Sequence, residues 1–142
     1  MEFVSFLKRE HDHIKAMLLE LEDYANELID GVGNEAHYVE IRSLLEKLGE
    51  YWDEHEVREE RYFEELNKLG LNFPMVKMKI EHRQLRGHWK VIRTALDLKE
   101  DLELGVCLDT DGRMLIDKLR RHINAEESFF ETLSVPGVNL ST

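Results

Sequence analysis

The stretch that decides the fold spans residues 52–63 and reads Trp52-Asp53-Glu54-His55-Glu56-Val57-Arg58-Glu59-Glu60-Arg61-Tyr62-Phe63. It contains no proline or glycine and is rich in Glu and Arg, which predicts an α-helix. On a helix, His55 and Glu59 lie one above the other, on the face that also carries Trp52, Tyr62 and Leu66. We expect that face to point into a hydrophobic core. A buried ionised carboxylate is costly unless it is paired or binds a metal, so this inward-facing pair needs a partner.

The spacing of His55 and Glu59 recurs at His122 and Glu126. Residues 10–14 also resemble residues 81–85, and residues 55–63 resemble residues 122–130. This weak internal repeat predicts that the first two helices are related to the last two by a pseudo-twofold axis.

Four long segments show helical periodicity, at about residues 3–29, 35–69, 74–98 and 113–133. In each, apolar residues alternate at spacings of three and four, which is typical of a helix with one buried face. Four such helices predict an all-α fold, an up-down-up-down antiparallel four-helix bundle in a single domain. Residues 105–112 are expected to form a loop, with Asp109 or Asp111 capping the last helix. Residues 134–142 are expected to form a loose tail.

The composition fits a helix-rich domain without a nucleic-acid or membrane partner. The 142 residues are 42% hydrophobic and 35% charged, with a formal net charge of -11, and such acidity disfavours nucleic acid and anionic membranes. No stretch has the length of a transmembrane helix, and Lys8, Arg9 and Glu10 interrupt any signal-like apolar run. A cytoplasmic location is therefore expected, and the oligomeric state stays open. The single cysteine, Cys107, excludes an intrachain disulfide and is interpreted as structural.

Polar residues interrupt the apolar faces of all four predicted helices. They are His11, His55, Glu59, His82, His122 and Glu126. In an antiparallel bundle these residues can meet at one level of the core. Four imidazoles and two carboxylates suit a pair of metal ions, especially iron, with His as terminal ligands and Glu as bridges. The alternative is a buried His/Glu network without metal, which accounts for any one of these residues better than for all six.

The remaining histidines and other metal motifs fit less well. His13, His37 and His88 fall off the apolar faces and are expected at the surface. The zinc-protease motif that begins at His55 lacks its second His, and the Glu-x-x-His spacing of ferritin-like bundles occurs only at Glu10 and His13. We interpret Met75, Met78, Tyr62, Phe63, Phe129 and Phe130 as packing residues, with Tyr62 one turn beyond Glu59 and within reach of a metal site.

On these motifs the sequence resembles the hemerythrin-like (HHE cation-binding) domain family. The matching motifs are Glu10-His11 with Ile14, His55-x-x-x-Glu59-Glu60-x-x-Phe63, Glu81-His82 with Leu85, and His122-x-x-x-Glu126-Glu127-x-x-Phe130. They extend over nearly the whole chain, from about residue 3 to residue 133. The resemblance implies a non-haem centre of two iron ions with an oxo or hydroxo bridge. It also implies dioxygen or nitric oxide as the small ligand.

Two positions depart from the pattern of the oxygen-carrying members. Those proteins have a fifth His one turn before the one that matches His82, and this chain has Met78 there. They also have an Asp five residues after the last His, whereas here Glu126 holds the better position on the helix face and Glu127 the second. Glu56, next to His55, is a candidate for an additional carboxylate ligand. The change at Met78 disfavours reversible oxygen carriage and favours sensing, iron or nitric oxide handling, or redox chemistry.

Three functions are consistent with these features. The first is a non-enzymatic di-iron protein, without catalytic residues, that binds or senses dioxygen or nitric oxide, or handles iron. The second is a di-iron oxidase or peroxidase. The third is a metal-free helical interaction domain.

Overall fold

The computed structural model describes residues 2–132, and every regular element in that range is helical. The helices are α1 (Glu2–Ile29), α2 (Glu35–Lys68), α3 (Met75–Leu98), α4 (Asp101–Cys107) and α5 (Arg113–Thr132), and a π-helical segment, Leu108–Gly112, joins α4 to α5. The four long helices α1, α2, α3 and α5 pack as a bundle in that cyclic order. The predicted all-α four-helix bundle is confirmed. The predicted tail at residues 134–142 lies outside the described residues.

The ends of the helices follow from local sequence. Asn34 caps α2, because its side chain accepts a hydrogen bond from the backbone N–H of His37 at 3.2 Å. Gly31 and Gly70, which follow α1 and α2, have φ angles of 77° and 101°. Glycine reaches these left-handed conformations without a steric penalty, so both positions suit a change of chain direction. Within residues 2–132, no helix is long and apolar enough to cross a membrane.

The prediction of a loop over residues 105–112 is wrong. This part of the chain is helical in α4 and the π-helical segment, which runs into α5 without a break. Leu104, Cys107 and Leu108 are buried, and their apolar contacts hold this stretch against the bundle. Since α5 is continuous with the preceding segment, the predicted cap does not form, and the Asp109 carboxylate instead accepts a hydrogen bond from Arg113 Nε at 2.7 Å.

The hydrophobic core has two parts. The larger part includes Leu18, Leu45, Trp52, Trp89 and Leu119. The smaller part consists of Leu7, Phe63, Leu66, Phe73, Met78 and Phe130. On α2, Phe63 takes the fully buried position that the sequence pattern assigned to Tyr62, which is half-buried. On α5, Phe130 is buried and Phe129 is half-buried. Along each long helix, the polar residues singled out above lie between the two parts.

Candidate metal centre

All six predicted site residues meet at one level of the bundle, between the two parts of the core. The exposed fraction is 0% for His11, His55, Glu59 and His82, 4% for His122 and 3% for Glu126. Helices α1 and α3 each contribute one His, whereas α2 and α5 each contribute a His and a Glu one turn apart. Two histidines and two such pairs therefore share a buried site.

The donor atoms form two groups that have both carboxylates in common. One group is His11, His55, Glu59 and Glu126, and the other is Glu59, His82, His122 and Glu126; within each group the ligand atoms lie within 4.8 Å of one another. Each group combines two imidazole nitrogens with two carboxylate oxygens. This donor set suits first-row transition metals such as iron.

Glu59 lies between the two groups and turns one oxygen toward each. Its Oε2 is 2.8 Å from His55 Nε2 and 3.8 Å from His11 Nε2. Its Oε1 is 3.0 Å from His82 Nε2 and 3.2 Å from His122 Nε2. These separations resemble the roughly 3.0–3.4 Å between neighbouring ligands that bind one metal at about 2.1 Å. Glu59 therefore presents one carboxylate oxygen to each donor group.

Glu126 faces both groups in the same way. Its Oε2 is 3.5 Å from His11 Nε2, while its Oε1 contacts His122 Nε2. Its helical position, one turn after His122, repeats that of Glu59 after His55. The second bridging position predicted from the repeat is therefore geometrically available.

Several inward atoms of this cluster have no hydrogen-bond partner of good geometry. They are both ring nitrogens of His11, Nε2 of His55, Oε2 of Glu59 and both carboxylate oxygens of Glu126. Unsatisfied buried polar atoms cost free energy. A metal ion would satisfy these atoms, so the residues present fit a metal centre better than a self-contained hydrogen-bonded network.

The protonation equilibria of the cluster reflect burial and mutual contact. Burial opposes the charged form of His55, but close contacts with the carboxylates of Glu10 and Glu59 outweigh this effect and raise the pKa of His55 to about 9. Burial likewise opposes the charge on His122, and contacts with Glu126 and Glu59 raise its pKa to about 11. Burial and repulsion from Glu59 raise the pKa of Glu126. Without metal, the cluster therefore retains protons that a metal would displace.

A second layer of carboxylates surrounds the four imidazoles, and each comes from a neighbouring helix. Glu10 Oε1 is 3.2 Å from His55 Nδ1, Glu60 Oε1 is 3.0 Å from His82 Nδ1, and Glu81 Oε2 is 2.5 Å from His122 Nδ1. Glu127 Oε2 lies 3.9 Å from His11 Nδ1. We call Glu10, Glu60, Glu81 and Glu127 the outer acids. A carboxylate at Nδ1 fixes the tautomer and orientation of a metal-binding imidazole.

Basic side chains neutralise three of the four outer acids. Arg58 pairs with Glu10, Lys15 Nζ lies 2.9 Å from Glu127 Oε1, and Arg86 Nη2 lies 3.7 Å from Glu60 Oε1. Among residues 2–132, Glu81 has an ion pair with His122 and with no Lys or Arg. The sequence pattern missed the role of the outer acids. The available signal was that each directly precedes or follows one of the six site residues.

The candidate additional ligand, Glu56, lies on the outer side of the site. Its Oε1 is 3.9 Å from His82 Nδ1 and 2.7 Å from Arg86 Nε, and its Oε2 accepts a hydrogen bond from Trp52 Nε1 at 3.0 Å. Glu56, Glu60 and His82 form a third group of possible ligands. Glu56 is therefore neutralised by Arg86 and lies beside the Nδ1 edge of His82.

The other histidines lie away from the centre. His13 is exposed, as predicted, with its ring 4.5 Å from that of Tyr51. His37 is partly buried, at 25% side-chain exposure, and contacts Glu27. His88 is more buried than predicted, at 14%, because it packs between Asp111 and Lys118.

Comparison with known proteins gives one match. A family model described as the hemerythrin HHE cation binding domain matches residues 2–133, which include all six site residues and the four outer acids. No curated protein and no solved structure matches the chain.

Proposed function

Because this chain belongs to the hemerythrin HHE cation-binding domain family, we propose that its core binds two iron ions and that this di-iron centre binds or senses dioxygen or nitric oxide, or handles iron. Domains of this family bind metal cations, typically iron. The observation that carries the proposal is the pair of donor groups that share both Glu59 and Glu126. A single metal would use one group and leave the histidines of the other buried without a partner.

In this assignment, His11 and His55 would hold one iron and His82 and His122 the other. Glu59 and Glu126, which belong to both donor groups, would be carboxylate ligands available to both. Sharing two carboxylates between two cations offsets the cost of burying their charge. When bound, iron would supply the redox chemistry and the affinity for diatomic ligands.

The protein's own residues prepare the site. Glu10, Glu60 and Glu81 each lie at hydrogen-bond distance from the Nδ1 atom of one imidazole, so a hydrogen bond from Nδ1–H would turn the Nε2 edge of that ring toward the centre. Leu7, Phe63 and Phe130 on one side and Trp52 on the other exclude bulk water. A dry site strengthens the electrostatic interactions within it. Three of the four imidazoles, those of His55, His82 and His122, are thus oriented before any metal enters.

Met78 stands where a further histidine would complete the protein ligands of one iron, and this favours binding of a small exogenous ligand there. It is buried, one turn before His82, in the smaller part of the core. Its thioether is a weak ligand for iron compared with an imidazole. We therefore propose sensing or handling of a small ligand in preference to reversible oxygen carriage.

Metal analysis with optical spectra tests this function. Protein reconstituted anaerobically with ferrous iron should contain about two irons per chain. A charge-transfer absorption should appear in air and disappear on reduction. A matched control is the double variant Glu59→Gln with Glu126→Gln, which should contain only trace iron. Trace iron in the wild-type protein would refute the proposal, and turnover with peroxide and a reductant would identify an enzyme instead of a binding protein.

A further inference from the structure

A pocket of ≈ 140 Å³ opens between α3 and α5 and reaches the candidate metal centre. Its walls are mainly apolar and include Phe73, Met78, Ala125 and Phe129. Exposed Lys77 lies at the surface side, whereas the buried side chains of His122 and Glu126 also line the pocket. The pocket therefore runs from the surface to two side chains of the site.

His122 is the one site histidine that lines this pocket, and it belongs to the group that also contains His82. Glu126, which also lines the pocket, is common to both groups. His11, His55 and His82 are absent from the lining and are 0% exposed. Access through this pocket is therefore access to the His82/His122 side.

The internal repeat shows why the opposite side is covered. Aligning residues 55–63 with 122–130 pairs Arg58 with Ala125 and Tyr62 with Phe129. Where Ala125 leaves space, Arg58 pairs with Glu10 and lies over the Phe6 ring, with Cζ 5.7 Å from the ring centroid. Arg58 thus covers the surface that corresponds to the pocket.

Two of the outer acids, Glu10 and Glu81, also differ in exposure between the two halves of the bundle. Glu10, next to Arg58, has a side-chain exposure of 4%, whereas its counterpart Glu81 has 32% and lines the pocket. Glu81 lacks the basic partner that covers Glu10 in the first half. The two halves of the bundle therefore carry the same types of candidate ligand, but Arg58 covers the site in the first half and Ala125 leaves it uncovered in the second.

We propose that a small uncharged molecule, of the size of a diatomic gas, enters through the pocket between α3 and α5 and reaches the centre from the His82/His122 side. Ala125 keeps this path open, and Arg58 closes the equivalent path in the other half. The mainly apolar walls favour an uncharged molecule, because an ion would lose hydration against them. This inference rests on the proposed di-iron centre for its destination, but the pocket can be tested without metal.

The test introduces at position 125 the side chain that closes the other half. Ala125→Arg should pair with Glu81 as Arg58 pairs with Glu10. In iron-loaded protein, nitric oxide should then associate about tenfold more slowly, measured by stopped-flow absorbance, because entry requires the new side chain to move. The matched control is Asn124→Arg, which adds the same side chain at the neighbouring exposed position and should leave the rate unchanged.

Xenon provides a readout that does not depend on iron. In metal-free protein with isotope-labelled methionine methyl groups, dissolved xenon should shift the Met78 resonance. Ala125→Arg should abolish that shift and Asn124→Arg should not. An unchanged Met78 response in Ala125→Arg, or an unchanged nitric oxide rate with iron retained, would overturn the proposal.

Two further variants keep the test decisive if Ala125→Arg does not fold. Arg58→Ala should open the second path and accelerate nitric oxide association, while Phe129→Ala should widen the existing pocket and do the same. Unchanged rates in both variants would contradict the inference. Trace iron in the wild-type protein would instead refute the di-iron centre, with the xenon result still deciding whether the pocket admits an apolar molecule.

Discussion

Replacing Glu59 with glutamine should lower both the iron content and the stability of the metal-free protein. Glu59→Gln preserves the shape of the side chain but removes its charge and replaces one carboxylate oxygen with an NH2 group, which donates hydrogen bonds. The native carboxylate is 0% exposed and lies 2.8–3.8 Å from the Nε2 atoms of His11, His55, His82 and His122. No other side chain in the site contacts all four imidazoles at these distances.

The magnitude follows from this burial. Burial alone would raise the pKa of Glu59, but contacts with Glu126 and three histidines hold it well below its usual range, so the group is ionised at neutral pH. Removing one partner of a buried ion pair costs about 3–5 kcal/mol. At about 3 °C per kcal/mol for a chain of this length, Tm should fall by about 10–15 °C. Iron affinity should fall by more than the roughly 10–100-fold that follows loss of an outer partner, since both donor groups lose an oxygen.

Thermal unfolding of metal-free protein and elemental analysis after iron reconstitution measure the two effects. The control is Glu65→Gln on the same helix, where the carboxylate is 59% exposed and 3.7 Å from Arg61. Such a surface pair contributes about 0–1 kcal/mol, so this variant should match the wild type in both assays. Glu59→Gln protein with two irons per chain and a Tm within about 2 °C of the wild type would refute the assigned role.

Two other predictions concern the imidazoles and their outer partners. The pKa values of His55 and His122 are raised to about 9 and about 11 in the metal-free protein, so both imidazoles are charged at pH 8 and a metal must displace their protons. Metal addition in weak buffer with an indicator dye should therefore release protons, and the metal affinity should increase with pH. Metal binding without proton release would contradict this prediction. Glu10→Gln should weaken metal binding about 10–100-fold at unchanged stoichiometry, measured by competition with a chelator. The exposed His13→Ala variant should not change affinity, and equal losses in both variants would argue against a specific role for Glu10.

The sequence predicted which polar residues meet in the core because each of them breaks an apolar helix face. His11 lies one turn from buried Leu7 and Ile14, and His82 lies one turn from buried Met78 and Leu85, so the helical period alone placed both histidines inside. Where two glutamates are adjacent, the helical period does not clearly decide which of them points into the core. Glu59 and Glu60 are both near the helix face, and only packing directs Glu59 inward while Glu60 reaches His82 Nδ1 from outside.

Two features were beyond the sequence pattern for physical reasons. The glycines and aspartates of residues 105–112 favour a loop by propensity, but burial of Leu104 and Leu108 against the bundle overrides that preference. Over the length of α2, the helical period drifts relative to a fixed three-four spacing. At the end of that helix, Phe63 therefore takes the buried position and Tyr62 packs at the edge, with its ring 5.4 Å from that of Phe3.

The outer acids connect the helices in a closed ring, and this limits how the chain can be divided. Glu10 on α1 reaches His55 on α2, Glu60 on α2 reaches His82 on α3, Glu81 reaches His122 on α5, and Glu127 on α5 faces His11. A fragment with only α1 and α2 would retain the first contact and leave Glu60 and His11 without their partners. Two copies of that fragment, paired about a twofold axis, would supply Glu60 of each to His11 of the other. Each half of the internal repeat therefore needs a second half to complete the contacts between its outer acids and its histidines.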